Sequence, residues 1–291
     1  MSEISILRSQ AFEAVVASKG AELKSLRSRR TGQEFLWNGD PEWWGGSAPV
    51  LFPVIGGLRG GHYTFQGESY SLGSHGFARR SEFQIVDRTP DSVTLFLGSS
   101  EATSKSYPFD FRLTVGYLID YAGVTATFTV ENSGYGQMLF SIGWHPAFLV
   151  PFAGGPIEHY FLEFSDLEED ERVYFGGGLL LDQVGSVFDN SRHIFLHRRL
   201  FDDAAIILPR LQSSEVIIRK SRAERRITIG TGGASSLAIW APPGGAPFVC
   251  VEPWFGLPDY AFHAGDLTEK EGILSLEPGG VFAARFPVVI D

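Results

Sequence analysis

The chain has 291 residues, 44% hydrophobic and 13% aromatic, with a formal net charge of −10 and a pI near 5.2. This composition supplies a large buried core, leaves little room for disorder, and gives no electrostatic footprint for nucleic acid or an anionic membrane. The single cysteine, Cys250, argues against an intrachain disulfide framework and any Cys-based zinc cluster and fits a reducing compartment. Met1-Ser2-Glu3-Ile4-Ser5-Ile6-Leu7-Arg8 lacks a basic segment followed by a long apolar one, and no run of about 18 apolar residues occurs, so a cytoplasmic location is expected.

In chain order, strand-length stretches rich in β-branched and aromatic residues fall at 4–7, 12–16, 21–27, 63–65, 83–86, 92–97, 111–117 and 124–130. The second half repeats the theme at 160–164, 193–196, 205–208, 215–219, 226–229, 236–240, 248–251 and 281–286. None carries a long helical apolar period. The 34 glycines and 16 prolines punctuate the strands at intervals too short for intervening helices, which argues against a parallel βαβ sheet. An all-β fold, a large antiparallel β-sandwich, is the expectation. With no linker, charge run or fixed-period repeat, residues 1–291 are read as one domain. Gly176-Gly177-Gly178 and Gly230-Thr231-Gly232-Gly233 lack a Walker pattern and read as turns.

Titratable residues interrupt this apolar sequence at three places. In Ser74-His75-Gly76-Phe77-Ala78-Arg79-Arg80, Gly76 permits a close backbone approach and Arg79 offers a guanidinium fork for hydroxyls or a carboxylate; the bland reading is a turn with a solvated arginine. In Ser141-Ile142-Gly143-Trp144-His145-Pro146-Ala147-Phe148, Pro146 biases His145 towards extended geometry at a strand end. An imidazole held there gives or takes a proton near neutral pH, or it is a hydrogen-bonded core residue. In Val249-Cys250-Val251-Glu252-Pro253-Trp254, a carboxylate directly follows an apolar run. Burying it raises its pKa into the range of a general acid or base unless an arginine pairs with it, and Trp254 offers a flat face for a sugar ring.

Zinc has no spacing signal, because His75, His145 and Glu252 are far apart and no helical H-E-x-x-H exists. A serine hydrolase is disfavoured by the lack of a G-x-S-x-G elbow. Paired carboxylates for glycoside hydrolysis stay open: Glu252 with Asp259, Asp202 or Asp203.

Leu51-Phe52-Pro53, His75-Gly76-Phe77-Ala78-Arg79, Gly143-Trp144-His145-Pro146-Ala147-Phe148 and Glu252-Pro253-Trp254-Phe255-Gly256-Leu257-Pro258-Asp259, in this order, resemble the aldose 1-epimerase (mutarotase) family, in the branch of the LacX proteins of lactose operons. The likeness runs from about Gly20 to the C-terminus. It implies a galactose mutarotase-like antiparallel β-sandwich and an isomerase that interconverts sugar anomers without cofactor or metal. By the same resemblance Glu252 is the base that takes the anomeric proton and His145 the acid that protonates the ring oxygen. His75 binds the sugar and steadies charge at that oxygen, and Arg79 sits beside the site. A sugar-binding aspartate is expected at 200–204, with Asp203 favoured because it precedes the apolar run 204–208. Two positions depart from the family pattern. The arginine expected after Phe-Pro is replaced by Gly57, leaving Arg59 as the nearest cation, and Trp144 stands where a tyrosine is expected. Trp144 is read as an aromatic wall of the His145 pocket. The expected partner is a small-molecule sugar, with a monomer or homodimer and no nucleic acid or membrane. Alternatives are a hexose-6-phosphate 1-epimerase, with Arg59, Arg79 and Arg80 as its phosphate cluster, and a carbohydrate-binding or regulatory protein without turnover.

Overall fold

The computed structural model describes residues 2–190 and 192–291; Met1 and Ser191 lie outside the described residues. It is built from antiparallel β-sheets: one of nine strands, one of eight, one of three at the N-terminus, and two two-stranded pairs, the hairpin His62–Phe65 with Glu68–Ser71 and the long-range pair Met138–Phe140 with Leu274–Leu276. Its helical content among the described residues is one α-helical turn, Glu101–Ser104, and four short 3-10 segments. No helix of the described residues is long and apolar enough to cross a membrane.

Side-chain alternation explains the layering. In Phe111–Ile119, residues Phe111, Leu113, Val115, Tyr117 and Ile119 are all buried, while the residues between them are exposed or partly so. The neighbouring strands Gly123–Asn132 and Val281–Ile290 follow the same rule, so the nine-stranded sheet presents one apolar face to the interior. Strand Phe248–Phe255, central in the eight-stranded sheet, is buried along its whole length. Phe248, Val249, Cys250, Val251 and Phe255 join the main core, whereas Trp254 joins a smaller cluster with Ile207 and Ala238.

This central strand pairs with Ser236–Trp240 on one side and with Ile142–Trp144 and Ala147–Leu149 on the other. Between those last two strands, Pro146 has no N–H to give to the ladder, so regular pairing lapses. The register survives the gap. Gly143 pairs with Trp254 and Ala147 with Cys250, which sets His145 directly opposite Glu252. The stretch 176–178 is a turn, as expected: Gly177 and Gly178 take positive φ between strands Arg172–Gly176 and Leu179–Gly185.

Candidate active site

Because side chains alternate across a strand, Cys250, Glu252 and Trp254 leave the central strand on one face, beside Trp240, Ala238 and Ser236 of the neighbouring strand. One strand further, Ile207 pairs with Ala238. These small and flat side chains leave a cavity of about 310 Å³ over the sheet, lined by Ala205, Ile207, Ala238 and Trp240 below and by His75, Arg79, Trp44 and Gly178 around it. Its size is at the lower end of small-molecule sites, about 300–1,000 Å³. Glu252, His145 and Trp254 also line it.

The central contact is His145 Nε2 at 3.2 Å from Glu252 Oε2. Its direction is off the line of a good hydrogen bond, and Oε2 has no hydrogen-bond partner. Both residues are buried, with His145 7% and Glu252 2% exposed. Burial pushes the Glu252 carboxyl well above the usual carboxylate range, opposed by the neighbouring Trp254 indole. Burial also holds the His145 imidazole well below its ordinary value, with His75 and Arg79 adding to the effect. Low polarity disfavours both charged forms, so the two groups hold one proton between them. Trp44 stacks on the His145 ring at 4.7 Å between centroids, and Trp240 meets it edge-on at 6.0 Å.

His75 arrives from a different part of the chain. It has φ of 61°, and Gly76 after it has φ of 64°. A side chain at Gly76 would collide with the Phe52 carbonyl, so the close backbone approach expected of that glycine is to this oxygen. The Gly56 N–H donates to His75 Nδ1 at 3.1 Å, which places the proton of the neutral ring on Nε2. Burial, Arg79 and Arg80 lower the His75 pKa to about 3 and keep the ring neutral. Arg79 donates to the Ser74 carbonyl at 2.9 Å, leaving its buried Nε without a partner.

Among the described residues, eight buried side-chain polar atoms lack a hydrogen-bond partner, and four of them belong to residues lining this one cavity: Arg79 Nε, His145 Nδ1, Glu252 Oε2 and Trp254 Nε1. An unsatisfied buried group costs about 1–3 kcal/mol, so hydrogen bonds from a polar molecule in this cavity would offset that cost.

Of the sequence candidates, His75, Arg79, His145, Glu252 and Trp254 come together here, and three do not. Trp144 is one residue from His145 on an extended chain and therefore points to the opposite face. It is fully buried against Phe128 and Phe286, its indole N–H donating to the Ala48 carbonyl. The aromatic wall is Trp44, with Trp240. Arg59 is drawn away because its backbone N–H donates to Asp259 Oδ2 at 2.8 Å and its guanidinium to the His263 carbonyl at 3.0 Å. Asp203 is exposed, in a turn that leaves the sheet before strand Ile206–Leu208; Ala205, two residues on, reaches the cavity instead. The carboxylate partners considered for Glu252 are also elsewhere: Asp259 is bound to buried Lys270 at 2.6 Å, and Asp202 pairs with Arg199 on the surface. Among the described residues Glu252 is the one carboxylate lining the cavity, so the two-carboxylate arrangement of a glycoside hydrolase is not met. Trp44 and Trp240 had no distinguishing sequence signal; six tryptophans are spread over the chain, and only packing selects these two.

The profile of the family described as Aldose 1-epimerase matches residues 2–275. The chromosomal LacX protein of Lactococcus lactis subsp. lactis is 32% identical over 269 residues, covering 89% of this chain and 90% of that protein. A galactose mutarotase related enzyme from Lactobacillus acidophilus has a TM-score of 0.92 at 32% identity, over 99% of this chain and 97% of that one. A galactose mutarotase-like protein from Lactobacillus casei ATCC 334 gives 0.92 at 29% identity, over 99% and 100%.

Proposed function

This chain belongs to the aldose 1-epimerase family, and from that premise we propose that it interconverts the α and β anomers of an aldose by opening and reclosing the pyranose ring, with Glu252 and His145 exchanging the protons. The observation that carries this reading is the 3.2 Å contact between the two groups on the floor of a cavity whose unpaired polar atoms await a polar ligand.

Ring opening removes a proton from the anomeric hydroxyl, forms the C1 carbonyl, breaks the bond from C1 to the ring oxygen and delivers a proton to that oxygen. In the low-polarity site the pair's proton rests on Glu252; once it passes to His145, Glu252 is the base and His145 the acid. Opening then transfers one proton in and one out, and the pair keeps its count. Rotation about C1–C2 turns the aldehyde, and the reverse transfers close the ring on its other face. His75, with its proton on Nε2, donates to the charge that builds on the oxygens, while Arg79 and the Trp254 face position the sugar.

Optical rotation of freshly dissolved α-D-glucose or α-D-galactose tests the reading. The protein accelerates the decay to equilibrium rotation, and Glu252→Gln and His145→Asn each remove about 10²–10⁴-fold of that acceleration. Acceleration that survives both substitutions overturns the assignment.

One observation favours a phosphorylated sugar as a second reading. A cavity of about 510 Å³ adjoins the first, sharing Trp44 and Arg79 with it, and is also lined by Lys19, Lys24 and Arg80. Glu22, 3.3 Å from Lys24, offsets part of that charge. Here these lysines replace Arg59 in the anion cluster. Acceleration confined to a hexose 6-phosphate and lost on Lys24→Ala/Arg80→Ala selects this reading; acceleration of unphosphorylated sugars that this double variant leaves intact selects the first.

A further inference from the structure

Beneath the proton-transferring pair lies a residue that the proposed reaction does not use. Cys250 is two positions before Glu252 on the same strand face and is fully buried with a free thiol. One ring nitrogen of His145, Cys250 Sγ and one Glu252 oxygen lie within 4.8 Å of one another. Two of these three residues also carry buried polar atoms without partners, His145 Nδ1 and Glu252 Oε2.

We propose that this cluster is a site for a thiophilic divalent ion of the zinc and cadmium class, and that occupancy shuts off the proton transfers. The donor set is one thiolate, one imidazole and one carboxylate, which zinc accepts at about 2.0–2.3 Å in tetrahedral geometry. Donors sharing one such ion sit roughly 3.3–3.8 Å apart, so shifts of about 1 Å bring these three together. Two negative ligands balance the ion's charge, which matters in an interior that tolerates no net charge. A fourth ligand, a water or a sugar hydroxyl, would come from the cavity that His145 and Glu252 line. Binding displaces the thiol proton and the proton held by the Glu252–His145 pair, and both leave to solvent. The bound ion then occupies the lone pairs that would accept the anomeric proton. In the metal-free state burial holds the Cys250 thiol well above its ordinary pKa, so it stays protonated and unreactive.

Metal binding stands independently of the proposed reaction; only the loss of turnover rests on it. The test titrates chelator-stripped protein with Cd²⁺, followed by thiolate-to-metal ultraviolet absorption and calorimetry. One equivalent binds with a thiolate band. Cys250→Ser abolishes the band, and His145→Asn, which keeps the thiol, weakens binding by about 100-fold. In rotation assays one equivalent of Zn²⁺ abolishes acceleration and a chelator restores it, whereas Cys250→Ala keeps the basal rate and resists Zn²⁺. Binding without a thiolate band, or equal Zn²⁺ sensitivity in Cys250→Ala, overturns the site. If no sugar is accelerated, the absorption and calorimetry still decide the metal question, while the reaction fails separately.

Discussion

Glu252 and the two cavity histidines pull stability in opposite directions with pH. Glu252 has a folded pKa raised above its unfolded value of about 4.3, so its contribution to stability is greatest below that value and is lost as pH rises. Glu252→Gln, isosteric and never charged, is therefore expected to raise the melting temperature at neutral pH while removing activity. An unchanged or lower melting temperature contradicts the buried, uncompensated carboxyl. His75 has the reverse sign. Its pKa falls from about 6.5 to about 3 on folding, so its contribution is complete above about pH 6.5 and is lost as pH falls towards about 3. His145 is lowered in the same direction. Denaturation midpoints should decline between about pH 6.5 and pH 4, and His75→Asn should flatten that decline. A slope unaffected by the substitution would place the acid sensitivity in other groups.

At the scale of elements, the loop that holds His75 is itself held by a buried ion pair. Asp259 accepts from Lys270 Nζ at 2.6 Å and from the Arg59 N–H at 2.8 Å, and its own N–H donates to the Gly57 carbonyl at 3.0 Å. The neighbouring Gly56 fixes His75 through two hydrogen bonds, from its N–H to Nδ1 and from the His75 N–H to its carbonyl. Lys270→Met leaves the Asp259 carboxylate buried and unpaired, at a cost of about 3–5 kcal/mol. Adding Asp259→Asn should recover much of that loss, a pattern that chemical denaturation of the single and double variants reads directly. If the single variant is as stable as the double, the pair does not hold the loop. Gly76→Ala attacks the same loop from the other side, forcing a methyl group against the Phe52 carbonyl at positive φ. A loss of stability exceeding the usual ~1 kcal/mol of an ordinary substitution is expected there.

Across the whole molecule, a chain of net charge −10 gathers Lys19, Lys24, Arg79 and Arg80 around one cavity beside the candidate site. The net charge excludes a polyanion footprint over the surface but does not describe this local field. Inorganic phosphate should therefore compete with a phosphorylated sugar, and should do so less as ionic strength rises, whereas competition with neutral aldoses should be weak.

The all-β architecture was legible because period-two alternation and glycine or proline punctuation are local properties of the chain. His75, Arg79, His145 and Glu252 stood out because each sets a titratable or charged group in apolar sequence, and Trp254 because its flat face follows Glu252; the structure brings all five to one cavity. The sequence could not reveal which face each neighbour takes, since that depends on register. Trp144 was therefore read as a wall when alternation sends it into the core, and Trp44, from a distant loop, stacks on His145 instead. Arg59 and Asp203 went astray for a related reason: loop direction follows long-range bonds such as Asp259 to the Arg59 N–H, which have no local signature. The sequence by itself determined the strand class and the residue types able to move a proton. Only the tertiary structure decided that His145 and Glu252 meet at 3.2 Å with Cys250 beneath them, because that meeting is set by hydrogen-bonded register between strands about 100 residues apart in the chain.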